Sequence, residues 1–383
     1  NGGLDANQMA QAKVVRAYLH WRLMDLYGNI VIADGSGSSS QSSRSAVFSW
    51  IEGELLSALG MGSSFDISKV SGSALGTNDE KYRINQYAAL GILSKLYLNA
   101  EVYVNQDRYA DCLQYCQQII NSGYELTPNY LNNFKADNND QPARNEIIFP
   151  IISDGVTTQN YGPTTVMVNG QVGSQEANGG NFGVNAGGWS GALRVPAEFS
   201  ETFQNGNYNI DVRNTLITED RIINIPDVSQ RDTGFIIAKW SNLTSDGQPG
   251  SAIEIVDTDF PMFRLADAYL MYAEAHLRGG GGDLGTAVGY VNDLRARAGN
   301  PNAVAANRLT LDLILNERLV ELYWEAHRRQ DLIRFGRYTG GTYNWSWKGG
   351  SANGIAIDAN RDVFPIPAAS LAANPNLTQN PGY

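Results

Sequence analysis

The sequence predicts a mainly α-helical protein, with paired helices toward both ends and a loop-rich stretch bearing short strands between them. Three observations carry this. Apolar residues recur with a helical period over much of 7–121 and again over 261–338. Short turns divide those stretches into helix pairs. Between them, from about Asn138 to Phe260, the period is lost among glycine- and asparagine-rich segments.

A first helix is expected over Asn7–Tyr27, where Val14, Val15, Tyr18, Leu19, Arg22 and Leu26 keep a 3.6-residue rhythm and Gly28-Asn29 supplies a stop. The polar loop Asp34–Ser45, with its GSGSSSQSS run, reads as flexible or ligand-proximal, because helix resumes at Ala46–Leu59. Ile84–Tyr103 and Arg108–Asn121 form a pair around a turn at Gln106-Asp107. A small residue is expected where they cross, and Pro128 trails the second helix. That pattern is similar to one tetratricopeptide-like unit. In the loop-rich stretch, strands are expected at Glu146–Ile152, Thr165–Val168 and Phe235–Trp240, and an amphipathic helix near Pro196–Phe203. Helices return with Met262–Arg278, the glycine turn Gly279–Gly282 and Leu284–Ala298. Leu309–Glu325 then leads into Ala326–Tyr338. Prolines 365, 367, 375 and 381 mark an extended tail lying on the fold. The divisions expected are 1–137, 138–260, 261–340 and 341–383.

Composition narrows the function. The net charge of −11, from 28 basic and 39 acidic residues, opposes nucleic acid and anionic lipid, both of which need a basic field. A neutral, hydroxyl-rich ligand is compatible with it. Loops this long in a compact protein are usually functional, and 40 glycines and 19 tyrosines suit polar-aromatic loops. Cys112 and Cys116 lie four apart on one helix, where a disulfide closes badly; both read as small core residues. His20, His276 and His327 are the chain's three histidines. With no metal-binding motif among them, neither a metal nor a cofactor is expected.

Several spacings imitate catalytic motifs. Glu317, Glu321 and Glu325 stand at i, i+4 and i+8 on an expected helix face, and paired carboxylates are what a glycosidase uses. Arginines 318, 328, 329 and 334 follow at close spacing, so a structural ion-pair network of Glu317, Arg318, Glu321, Glu325, Arg328, Asp331 and Arg334 is the expectation. Gly280-x-Gly282-x-x-Gly285 has dinucleotide-fingerprint spacing but follows a helix, so it reads as a hairpin turn. Gly188–Ala192 lacks the last glycine of a nucleophile elbow. No catalytic residue is expected.

Aromatic residues beside amides on loops are the best functional signal. Sugar rings present flat C–H faces to aromatic rings and hydroxyls to amides. Tyr161 beside Asn160, Trp189 with Asn181 and Phe182, and the run Tyr343-Asn344-Trp345-Ser346-Trp347 fit this chemistry. In an extended run, Trp345 and Trp347 would share one face. The alternative for each ring is that it pins its own loop.

The run NERLVELYWEAHRRQDLIRFG (Asn316–Gly336) resembles the C-terminal signature of the SusD/RagB family of Bacteroidetes outer-membrane lipoproteins. Glu317, Arg318, Glu321, Glu325, Arg328, Asp331, Leu332, Arg334, Phe335 and Gly336 carry the match. RLADAYLMYAEA (Arg264–Ala275), VNDLRARAG (Val291–Gly299), the closing FPIPAASLAANPNLTQNPGY and the early VVRAYLHWRLMDLYGNIVIAD (Val14–Asp34) extend it over nearly the whole chain. The resemblance implies a right-handed superhelix of tetratricopeptide-like hairpins against an irregular subdomain. It also implies a lipid-anchored protein on the cell surface, capturing oligosaccharides (in some members, peptides) for a SusC-like TonB-dependent transporter, without catalysis. Family members begin further upstream with a lipoprotein signal and acylated cysteine, so the natural N-terminus is expected to be missing. A glycoside hydrolase using paired carboxylates, or a peptide-binding helical scaffold, are the competing readings.

Overall fold

The computed structural model describes residues 3, 5–62, 66–77, 84–140, 142–159, 161–171, 181–185 and 193–383. Helix α1 (Ala6–Tyr27) starts at a capping box, in which the Asp5 carboxylate accepts from the Gln8 backbone N–H and the Gln8 amide side chain accepts from the N–H of Asp5. Strands β1 (Ile30–Val31) and β2 (Gln41–Ser42) pair antiparallel and bracket the serine-rich loop. That loop is tied to the tail: the Asn374 side chain donates to the Ser39 carbonyl at 2.8 Å, and the Thr378 N–H donates to Gln41 Oε1 at 3.0 Å. Helices α2 (Arg44–Ala58) and α3 (Ile67–Val70) follow.

The long helix expected at 84–103 is two, α4 (Gln86–Leu98) and α5 (Ala100–Val104), broken at Asn99. There Asn99 Nδ2 donates back to the Lys95 carbonyl at 2.8 Å, a side-chain bond that competes with the helix ladder. Helix α6 (Tyr109–Ile120) buries Cys112 and Cys116 as free thiols, and burial pushes the Cys112 thiol up.

In the middle stretch, β3 (Ile147–Ile151) is followed by α7 (Pro163–Gln171), β4 (Arg194–Val195), α8 (Ala197–Gln204), β5 (Leu216–Ile217), β6 (Phe235–Ile237) and β7 (Phe260–Arg264). The strand expected at Thr165–Val168 is therefore helix. Its β-branched residues suit a strand, but Pro163 opens a helical turn and Val168 is driven into a core cluster with Trp240 and Phe260. Strand β7 likewise takes the first residues expected to be helical. It pairs antiparallel with β3, setting Ile147 opposite Arg264 and Ile151 opposite Phe260, while β6 lies between β4 and β5.

The chain then runs through α9 (Leu265–Leu277), α10 (Leu284–Arg297), α11 (Leu311–Leu322), α12 (Arg328–Arg334) and the short α13 (Ala368–Ala373), a helical turn in the tail expected to be extended. The glycine segment 279–282 is the turn between α9 and α10. Helix α1 packs on α2, α4 on α6, and α9 packs on α6, α10 and α11. One apolar core joins them through Val14, Ile51, Leu93, Cys116, Met271 and Val291. Two smaller clusters sit under the loop-rich part, and Trp324 packs against both.

The close approach at Gly91 is with β7. A Cβ at Gly91 would lie 2.3 Å from a ring carbon of Phe263. Gly91→Ala is accordingly expected to cost about 1–3 kcal/mol, read as a lower urea midpoint at unchanged m-value. Adding Phe263→Leu should recover part of the loss; recovery of none would mean that the ring is not the obstacle.

Candidate functional site: an aromatic pocket above a buried charge lattice

Helix α11 ends at Leu322, three residues before the last carboxylate of the Glu317–Glu321–Glu325 series. The expected single helix face is thus broken. Trp324 (φ 59°) and Ala326 (φ 64°) take left-handed backbone, which costs a non-glycine residue about 1–2 kcal/mol. Packing offsets that strain: Trp324 wedges between the two smaller apolar clusters, and Glu325 reaches the same charges as Glu321 from the turn.

Those charges form a lattice sealed from solvent. Arg264 is its hub and is 1% exposed. Its NH1 meets Glu146 Oε1 at 2.6 Å and Glu321 Oε1 at 2.7 Å, its Nε meets Glu325 Oε2 at 2.7 Å, and its NH2 donates to the Glu321 carbonyl at 2.8 Å. Arg213 NH1 lies 2.9 Å from Glu317 and 3.0 Å from Glu321. Arg295 holds Glu317 at 2.8 Å, Arg297 holds Glu146 at 2.9 Å and also pairs with Glu321, and Lys239 meets Glu325 at 2.7 Å. Burial pushes the Glu321 carboxyl up, but Arg297, Arg264 and Arg213 outweigh it and hold it well below the usual carboxylate range. Burial lowers Lys239 to about 8 against the opposing pull of Glu325.

A second lattice surrounds α12. Arg318 meets Asp267 and Asp331, each at 2.9 Å, and Arg334 meets Glu274 at 2.6 Å and Asp331 at 2.8 Å. Lys95 pairs with Asp267, and its ammonium lies 3.2 Å from His327 Nδ1, which requires a neutral imidazole accepting there. Arg328 departs from the expected network. Among the described residues it has no carboxylate partner; its NH1 donates to the Leu315 carbonyl at 3.0 Å. Every glutamate of the series is at most 1% exposed and bound to cations, so none can reach a glycosidic bond.

Beside this lattice lies a cleft of ≈ 310 Å³. Val195, Phe199, Leu319 and Tyr323 form its apolar floor, Tyr338, Tyr343 and Trp345 wall it, and Arg194, Glu198, Arg328 and Arg329 stand around it. Trp345 lies near-parallel to Tyr338, with centroids 5.8 Å apart, and 5.9 Å from Tyr343. Three fastenings hold the aromatic loop. Glu198 in the first turn of α8 accepts from the Ser346 N–H at 2.9 Å and its hydroxyl at 3.0 Å. The buried Lys348 ammonium donates to the carbonyls of Gly340 (2.8 Å) and Tyr343 (2.7 Å). The Trp347 indole N–H donates to the Ile225 carbonyl at 2.8 Å.

The sequence-derived candidates therefore separate. Tyr343 and Trp345 share the cleft. Trp347, at φ 69°, ends the extended geometry that would have put both indoles on one face, and it anchors the loop instead. Tyr161 lies elsewhere, 62% exposed, its hydroxyl donating to Glu254 at 2.7 Å. Asn181 is exposed and caps Gly183, while Phe182 half-buries against the Trp240 cluster and its carbonyl accepts from the Asn242 N–H at 2.8 Å. Asn185 bonds to Ile253, so this loop and Tyr161 converge on the 251–257 segment. Trp189, Asn160 and the Gly188–Ala192 run lie outside the described residues. No aromatic–amide loop pattern marks Tyr338, Phe199 or Trp324 in the sequence. Trp324 sits inside an unbroken helical pattern with no glycine to announce a turn.

A family model described as the SusD family matches residues 223–383. The starch-binding protein SusD of Bacteroides thetaiotaomicron is 32% identical over 98% of this chain and 73% of its own length. The chain belongs to the SusD family. A SusD superfamily protein from Parabacteroides distasonis superposes over 100% of this chain and 81% of its own, with a TM-score of 0.73 at 20% identity. Surface glycan-binding protein A from Bacteroides thetaiotaomicron, in complex with laminarihexaose, superposes over 99% of this chain and 80% of its own, with a TM-score of 0.71 at 20% identity. The SusD fold thus extends over the whole described chain, and the family signature is the segment that builds the lattice, the strained turn and one side of the cleft.

Arg264→Met leaves the sealed lattice one cation short, with Glu146, Glu321 and Glu325 sharing only Arg297, Arg213 and Lys239, and is expected to destabilise by about 3–5 kcal/mol in urea titration; a loss under about 1 kcal/mol would show that the lattice relaxes around the gap. Stability should also fall with acid in two phases. Burial first, then Lys95, holds His327 well below its ordinary value. The unfolded chain therefore binds a proton near pH 6.5 that the folded chain refuses, and stability is lost as pH drops below that point. Carboxylates held low in the fold, Glu321 and Asp331 among them, add a second loss beginning below about pH 4. Thermal melts of His327→Gln should lack the first phase.

Proposed function

We propose that this protein captures oligosaccharides at the cell surface and passes them on without cleaving them. The observation that carries the reading is the Tyr338–Tyr343–Trp345 wall beside an apolar floor, with the loop that bears Tyr343 and Trp345 tied down by Glu198 and Lys348. Rings held rigidly bind flat C–H faces without the entropic cost of ordering a loop. The SusD relative binds starch and a structural neighbour holds laminarihexaose, so gluco-oligosaccharides are the first ligands to test. Tyr161, exposed beside Glu254 on the 251–257 segment, is a second place for ring stacking. Capture without catalysis fits the fate of the glutamates, which are consumed by arginines.

Delivery to a SusC-like TonB-dependent transporter, and residence on the outer membrane through a lipid anchor, complete the reading. They rest on family membership. No helix among the described residues is long and apolar enough to cross a membrane.

Isothermal titration with maltoheptaose and laminarihexaose, beside a reducing-end assay, tests the proposal. Saturable binding in the micromolar to millimolar range with no new reducing ends is expected. Tyr343→Ala and Trp345→Ala should each weaken binding about ten-fold, from the lost stacking and the lost apolar area. New reducing ends, or full affinity in both variants, would overturn the assignment.

A further inference from the structure

The charges around the cleft do not match those of the molecule. The chain carries a net charge of −11, and its buried arginines meet carboxylates. Along the signature, Arg318 and Arg334 sit in ion pairs, and Arg329 meets Asp25 at 3.0 Å. Arg328 is different. One of its N–H groups goes to the Leu315 carbonyl, and its guanidinium carbon lies 5.8 Å from the centroid of the Tyr343 ring that walls the cleft. No carboxylate among the described residues pairs with it. Arg194, which also lines the cleft, spends its guanidinium on carbonyls of the 228–233 segment, at 2.7 Å for Val228 and 3.1 Å for Thr233. The carboxylate lining the cleft, Glu198, has one oxygen on the Ser346 N–H and the other on its hydroxyl. The cleft therefore joins an aromatic wall to a cationic rim whose charge its own acid does not cancel.

A guanidinium has five N–H donors in a planar fork, and the partner that matches it best is a carboxylate accepting two parallel bonds. Against an apolar floor such a bond is screened less than on open surface. We propose that this cleft takes a sugar carrying a carboxylate, a uronic acid unit. Its ring face lies on the Tyr338–Tyr343–Trp345 wall and its carboxylate accepts from Arg328. This deepens the capture reading above and rests on it: the rings give affinity for a pyranose, and Arg328 selects the acidic one. Neutral sugars lose only the ionic part of the binding, so they bind the same wall more weakly.

Trigalacturonate and its fully methyl-esterified form make a matched pair, since both present the same ring faces and one carries no charge. Titration of both into the full chain in low salt is expected to give about ten-fold tighter binding of the acid, the scale of a charge-assisted bond. That ratio should shrink toward one in Arg328→Gln and be partly restored in Arg328→Lys, which keeps the charge but not the fork. It should also shrink as salt rises. Melting curves on each variant establish that the fold is intact, and Arg328→Lys serves if Arg328→Gln unfolds. Equal affinity for acid and ester, or an acid preference that survives Arg328→Gln, overturns the inference. The two readings fail differently. Gluco-oligosaccharides that bind through Tyr343 while the uronate gains nothing leave capture standing and remove only the acidic preference. Indifference of every sugar to Tyr343→Ala and Trp345→Ala removes both.

Discussion

Arg264 is the constraint on which the rest of the structure depends. It leaves the end of β7, the strand that ties the loop-rich part to the helices, and gathers Glu146 from beside β3, Glu321 from α11 and Glu325 from the turn beyond. Charges this deeply buried are tolerable only when they cancel and their hydrogen bonds are filled. The carboxylates of Glu146, Asp211, Glu317, Glu321 and Glu325 face Arg213, Lys239, Arg264, Arg295 and Arg297, one for one. Apolar packing tolerates small shifts between elements; a lattice of this kind tolerates few, since each displacement strands a charge. It therefore sets how the helices and the loop-rich part meet.

The cleft inherits that rigidity. Arg264 draws Glu325 inward, which requires the chain to leave α11 in a turn with two left-handed residues. The same turn puts Trp324 between the two smaller clusters and starts α12, whose outer side carries Arg328 and Arg329 to the cleft. Tyr343 and Trp345 are then held by Glu198 from α8 and by Lys348 from within their own loop. One short signature segment thus serves both stability and the shape of a binding surface.

Periodicity found the long helices α1, α2, α6, α10 and α11 to within a few residues, because their apolar faces repeat against one core. It failed where tertiary contacts overrode local preference. Thr165–Val168 is helical despite its β-branched residues, Asn99 breaks what reads as one helix, and Met262–Arg264 pairs as a strand with β3. The aromatic–amide loops were visible as chemistry, but not which rings share a surface. Nothing local distinguishes Trp345, which lines the cleft, from Trp347 two residues on, which anchors the loop through its indole N–H.

By itself the sequence determined the class of fold, the family and that the signature's glutamates belong to an ion-pair network rather than a catalytic pair, since amphipathic period and motif spacing are properties of the chain; it did not reveal Arg264, Arg213, Arg295, Arg297 and Lys239 as their partners. Tertiary structure alone decided that Glu325 leaves the helix and still joins the lattice, that Arg328 is left without a carboxylate, and that Tyr338, Tyr343 and Trp345 converge. These depend on pairings between residues distant in the chain, such as Glu198 with Ser346 and Arg264 with Glu146. Pairing at that range is settled by which charges and volumes can be buried together, a condition no local stretch of sequence contains.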